Sequence, residues 1–285
     1  MTARRYVGYL FVLPYLVLFL GFIVLPLLFG LGLSLCRWEM LSPGPPAVVG
    51  FANYREALGD DYFWRALGAT ATFVALDVPF KILLALALAL GINAVKRGRS
   101  FFRASVVLPT MINISVAGIL WRWFYNTEFG LFNACLEPLG LRVPWISHPG
   151  LAMPSVVLMT FWWTVGGAVL ILMAGLHQIP DSYYEAASID GAGRWARLRH
   201  VTLPLLKPGT IFVIVMNIIG SFQVVGQTFM ITRGGPELST RVLMQYVYET
   251  AFLHFRMGYG AAMSWLLFLV IALFSATQFY LLRRS

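Results

Sequence analysis

No charged residue occurs between Arg5 and Arg37, between Lys207 and Arg233, or between Arg256 and Arg283. About 20 apolar residues cross a bilayer core as a helix, and each of these runs is longer than that. A shorter run between Arg103 and Arg122 is just long enough to cross. The stretch 143–180 is uncharged apart from its histidines, with an apolar heart at 151–176. A sixth candidate, about 65–94, is interrupted by Asp77 and Lys81. The sequence therefore predicts an all-α membrane protein with six transmembrane helices. Only 12% of the residues are charged, against about 25% in a soluble domain, so a water-facing surface could not be coated.

Arg4 and Arg5 precede the first run as they would a secretory signal. The run is far longer than the roughly 7–15 apolar residues of a signal, and no small-residue cleavage site follows. It is expected to be a retained anchor. Leu35 is too large beside Cys36 for a lipoprotein box.

Basic residues favour the cytoplasmic side of a membrane. With six spans and both termini cytoplasmic, one side gathers twelve Lys and Arg, including 4, 5, 96, 97, 99, 103, 194, 197 and 199. They face three acids, Asp181, Glu185 and Asp190. The other side holds eight Arg and eight acids, and Asp77 and Lys81 cancel within the membrane. The whole net charge of +9 thus falls on one face, which leaves the basic pI no need of a nucleic-acid partner. Cys36 and Cys135 fall on the outer side, where a disulfide is permitted, but at this spacing free thiols are expected.

A first segment, 1–62, holds one span and an outer loop containing Ser42-Pro43-Gly44-Pro45-Pro46. A core segment, 63–285, holds five spans. Span three, about 102–123, ends in Trp121, Trp123 and Tyr125, placed for an aromatic belt. Span five is expected over about 209–231. The connection 177–208 is long, polar and punctuated. Ser182 with Glu185 reads as a capping box, Gly191 and Gly193 break the helix, and an amphipathic stretch at 194–203 precedes Pro204 and Pro208. Two short helices at a glycine elbow would form a knob standing off the membrane.

That connection resembles the EAA loop of binding-protein-dependent importer permeases. Glu185-Ala186-Ala187, three residues, Gly191, nine residues, then Val201-Thr202-Leu203-Pro204 follows the family spacing, with Val201 as the departure. The string 184–206 is similar to the carbohydrate branch, which includes the maltose and glycerol-3-phosphate permeases. Phe101-Phe102-Arg103, Trp121-Arg122-Trp123-Phe124, Gly130-Leu131 with Asn133, and Thr232-Arg233-Gly234-Gly235-Pro236 match it in order. The resemblance implies a type I ABC importer permease in the inner membrane of a prokaryotic cell. It implies a dimer of ATP-binding cassette ATPase subunits, a second, non-identical permease and an extracytoplasmic solute-binding protein as partners. Glu185, Ala186, Ala187, Asp190, Gly191, Ala192 and Pro204 would then couple to the ATPase. The chain carries no G-x-x-x-x-G-K-[ST] phosphate cradle of its own.

Polar side chains in a bilayer core face protein or water rather than lipid. Thr160, Trp163, Thr164 and Gly167 repeat at helical spacing on span four. On span five Asn217, Ser221 and Thr228 share one face, with Gln223 and Gln227 beside it. The bland reading of both faces is interhelical glue. Resemblance to the maltose permease instead places Thr160, Trp163, Thr164, Gly167, Asn217, Ser221 and Gln223 along a sugar path. Asp77 and Lys81, four apart, are expected to pair and to serve structure or an interface. Neutral hydrogen-bonding groups suit an uncharged sugar, whereas a glycerol-3-phosphate or other polyol-phosphate permease would place a cation on these faces. A secondary transporter would carry an ion relay, and a membrane enzyme a catalytic cluster. The four histidines, at 148, 177, 200 and 254, stand at no ligand spacing, so no metal, cofactor or catalytic residue is expected.

Overall fold

The computed structural model describes residues 3–41 and 44–284. Ser42, Pro43 and Ser285 lie outside the described residues, as do the side chains of Arg4, Arg5, Arg283 and Arg284.

The first apolar run is helical as α1 (Ala3–Phe19), a π turn (Leu20–Val24) and α2 (Leu25–Ser34). Its most apolar window buries nothing, as expected of a helix that is hydrophobic all round and meets lipid. A two-stranded antiparallel ribbon, β1 (Cys36–Arg37) and β2 (Ala47–Val48), pairs Cys36 with Val48. Next come the short α3 (Ala52–Leu58) and the 34-residue α4 (Asp61–Ala94). Gly98, at φ 79, turns the chain into α5 (Arg99–Val107), followed by α6 (Ile114–Phe124) and α7 (Leu131–Leu136). α8 (Pro149–His177) is long, and α9 (Asp181–Ile189) is short. α10 (Arg194–Arg197) continues through a π turn into α11 (Leu203–Phe222). α12 (Gly226–Ile231), α13 (Leu243–Tyr248) and α14 (Met257–Arg284) complete the described chain.

Among the described residues, five helices are long and apolar enough to cross a membrane, and α5 with α6 makes a sixth candidate bent by 100°. The span expected at 102–123 is therefore broken by a sharp bend. Pro109 opens a 3-10 turn over Leu108–Met111, where its missing N–H costs nothing. Asn113 then caps α6, its side chain accepting from the Ser115 N–H at 2.8 Å. Span five also starts and ends earlier than expected. It ends at Phe222, and Thr228 belongs to the separate α12. The aromatic belt is reduced to Trp123. Trp121 and Tyr125, one turn apart, point into the core, and the Tyr125 hydroxyl donates to the Ser155 carbonyl at 2.7 Å.

The chain divides into two compact units, Met1–Trp64 with Tyr246–Val270, and Arg65–Gln245 with Ile271–Ser285. In the first, Asn53 donates to the Ser34 and Cys36 carbonyls, each at 2.9 Å, and so ties α3 to the end of α2. Asp60 accepts from the Tyr246 and Tyr259 hydroxyls, and Arg256 pairs with Glu56 at 2.6 Å. In the second unit, one apolar cluster joins α4, α8 and α11 through residues such as Ala85, Val169, Leu172 and Val213. Another gathers Phe73, Trp121, Tyr125, Val156 and Met159. Close crossings use glycine: a Cβ on Gly166 would stand 2.5 Å from the Val106 carbonyl, so α5 can lie directly against α8. Both cysteines are free.

Candidate functional site

Two constellations stand out, an exposed turn at 180–193 and a cavity with polar lining residues in the second unit. At the turn, Pro180 is extended and α9 begins at Asp181. Ser182 therefore lies inside the first turn, and no side chain caps this helix, which removes the expected capping box. Glu185 is exposed. The far end of α9 is closed by backbone alone. Gly191 sits at φ 75, its N–H bonds the Ser188 carbonyl at 3.1 Å, and the Ala192 N–H bonds the Ala187 carbonyl at 2.8 Å. These are the two bonds of a Schellman motif, which needs a left-handed residue where Gly191 stands.

The second helix of the expected knob does not stand alone, because α10 runs into α11. The turn is thus one short helix hinged on a long one. Arg197 Nε donates back to the Ala192 carbonyl at 3.0 Å, and the Tyr184 hydroxyl meets that of Thr202 at 3.1 Å. Tyr184 faces inward, while Tyr183, Ile189 and Trp195 are exposed. Ala186, Asp190 and Pro204 are exposed as well.

The cavity, of about 190 Å³, is lined by α4, α8, α11 and α12. From α4 come Phe73, Asp77 and Lys81, and from α8 Thr160 and Thr164. Asn217 and Ser221 of α11 and Gln227 of α12 complete the polar wall. Lys81 Nζ lies 2.6 Å from Asp77 Oδ2, and Ser221 Oγ donates to the same oxygen at 2.7 Å. Asp77 is 0% and Lys81 4% exposed. Thr160 and Thr164 donate to carbonyls one turn back at 2.8 and 2.7 Å, and Asn217 does so at 2.8 Å.

A family profile described as the binding-protein-dependent transport system inner membrane component matches residues 81–285. The chain belongs to this family. The permease is 34% identical over 278 residues to the probable ABC transporter permease protein YesP of Bacillus subtilis, covering 95% of this chain and 89% of that one. It is 35% identical over 272 residues to the trehalose/maltose transport system permease protein MalF of Thermococcus litoralis, covering 94% and 90%. A solved bacterial ABC transporter involved in the import of the acidic polysaccharide alginate contains a similar chain. The match has a TM-score of 0.83 and 25% identity, over 99% and 96% of the two chains. The permease is a multi-pass membrane protein and a transport subunit rather than a catalytic one.

The cavity brings together four of the seven residues expected along a path: Thr160, Thr164, Asn217 and Ser221. Trp163 turns away, and its indole N–H bonds the Ile112 carbonyl at 2.9 Å. Gly167 and Gln223 are exposed and line no part of the cavity. Lys81 of α4 brings a cation, paired with Asp77, into the cavity that these faces line. The i, i+4 spacing foretold its pairing with Asp77, but which way α4 turns its face is set by packing. Thr228 bonds Gln245 instead, at 3.3 Å.

Proposed function

We propose that the permease forms half of the translocation path of an ATP-driven importer that takes up a sugar or oligosaccharide. The trehalose/maltose relative supports the substrate class. The observation that carries it is the cavity wall, which hydroxyls and amides share with a cation already neutralised by its own carboxylate. A phosphorylated solute would need an uncompensated cation.

In this reading the chain makes six spans with both termini in the cytoplasm of a prokaryotic cell, the bent α5–α6 pair serving as the third. A dimer of ATPase subunits grips the turn at Glu185, Ala186, Ala187, Asp190, Gly191, Ala192 and Pro204. A second, non-identical permease completes the path, and an extracytoplasmic binding protein delivers the solute. Exposed Tyr183, Ile189 and Trp195 give the ATPase an apolar contact around the acidic one. Since α10 runs into α11, a push on α9 is passed to a span that lines the cavity.

Reconstitution tests the whole. Proteoliposomes holding both permeases, the ATPases and the binding protein should accumulate trehalose or maltose only with internal ATP. Uptake driven by a proton or sodium gradient without ATP would favour a secondary transporter and overturn the reading. Cysteines at Gly98 and Gly193 should be labelled only from the cytoplasm, and one at Gly44 only from outside.

A further inference from the structure

Asp77 and Lys81 make an unusual buried pair. A salt bridge that serves structure alone is stabilised when its remaining hydrogen-bonding capacity is also met. Here it is not. Lys81 carries three N–H donors and spends one, on Asp77 Oδ2. That oxygen also receives Ser221, whereas Asp77 Oδ1 is buried without a hydrogen-bond partner. Phe73, Asp77 and Lys81 stand on successive turns of one α4 face, and all three line the cavity.

The other wall groups show what the pair adds. Thr160, Thr164 and Asn217 have turned donors onto their own helices. What these groups leave for a solute is mainly acceptor capacity. A saccharide hydroxyl must both donate and accept, and Lys81 adds charged N–H donors to those of the Gln227 amide and the second Asn217 N–H. Lys81 alone would make an anion site, and Asp77 removes that bias. The fold does not settle the sign of the solute, since a chain of similar fold belongs to a transporter of an acidic polysaccharide. Side chains must settle it.

We propose that Asp77 and Lys81 are the specificity element of the path. Together they hydrogen-bond a neutral saccharide, and by cancelling each other's charge they deny an advantage to anionic glycans. The inference rests on the sugar reading above.

The test uses the complete membrane complex of both permeases and the ATPases in nanodiscs. The binding protein is left out so that its own selection does not intrude. Equilibrium dialysis with maltose and with digalacturonate gives the ratio of the two affinities. Wild type should prefer maltose. Asp77→Asn should shift the ratio toward digalacturonate about tenfold, or ~1.4 kcal/mol, and Lys81→Gln should shift it the other way. An unchanged ratio in both variants, in intact or surviving complex, overturns the inference and leaves the pair a structural one. Wild type that binds neither probe overturns the sugar reading, and this inference with it. Wild-type complex with this chain's aspartate carboxyls labelled with carbon-13 needs no substitution. Its infrared difference spectrum should show a carboxylate band perturbed by maltose, because Asp77 is the aspartate buried at the cavity. No perturbation of that band also overturns the proposal.

Discussion

Trp163 donates its indole N–H to the Ile112 carbonyl at 2.9 Å, joining α8 to the point where the third apolar run turns by 100°. A broken helix inside a membrane leaves backbone groups that lipid cannot satisfy, and breaks persist where protein satisfies them. Trp163→Phe keeps an aromatic ring, though a smaller one, and removes the donor. The melting temperature of the purified complex should fall by an amount equivalent to about 1–3 kcal/mol, the cost of one orphaned buried acceptor. An unchanged melting temperature would mean that the bend is held by packing alone.

Gly191 should be intolerant for conformational reasons rather than for lack of room. A Cβ there meets no atom within 4 Å, yet φ is 75. A left-handed residue with a side chain costs roughly 1–2 kcal/mol, with Asn suffering least. Gly191→Asn should retain most uptake, and Gly191→Leu should lose both uptake and the ATPases on purification. Equal activity in the two variants would show that the Schellman closure is dispensable.

The spans were legible because apolar length and the absence of charge are properties of the chain itself, and the EAA spacing was legible for a similar reason. Its interval from Ala187 to Gly191 and Ala192 is the length of one helix ending, closed by bonds between residues a few positions apart. The site was less legible, because it depends on how helices rotate against each other. Trp163 and Thr164 are neighbours in sequence, and one serves a bend 51 residues away while the other lines the cavity. Pro109 and Asn113 did announce the break in span three, but the apolar run around them masked it.

Asp60 gives the first unit a pH signature. Partial burial works to raise its pKa, but hydrogen bonds from Tyr246 and Tyr259 and from the Tyr62 and Phe63 backbone outweigh it and hold the carboxyl below its ordinary value. A native pKa below the unfolded one, about 3.9 for Asp, adds stability above that value, lost as pH falls through the native pKa. The melting temperature of wild type should therefore exceed that of Asp60→Asn from pH 8 down to about 5 and converge on it below about pH 4. A gap that persists unchanged at the acid end would show that the two hydroxyls bind the protonated carboxyl equally well.

Asn217 and Ser221 sit one turn apart on the same wall of the cavity, but they are bonded differently. Asn217 donates to Val213 of its own helix at 2.8 Å, so no neighbouring helix depends on it. Ser221 donates across to Asp77 at 2.7 Å, and removing it strips a bond from an oxygen that is already buried. Asn217→Leu should accordingly lower uptake in proteoliposomes several-fold with little change in melting temperature or subunit retention. Ser221→Leu should lower both, because Asp77 Oδ2 keeps only its Lys81 bond, and losing a hydrogen bond to a charged group costs about 1.5–3 kcal/mol. If both residues were only glue between helices, the two variants would destabilise alike and uptake would track the amount of intact complex. A stable Asn217→Leu complex with wild-type uptake would remove Asn217 from the path while leaving the Ser221–Asp77 bond as its structural support.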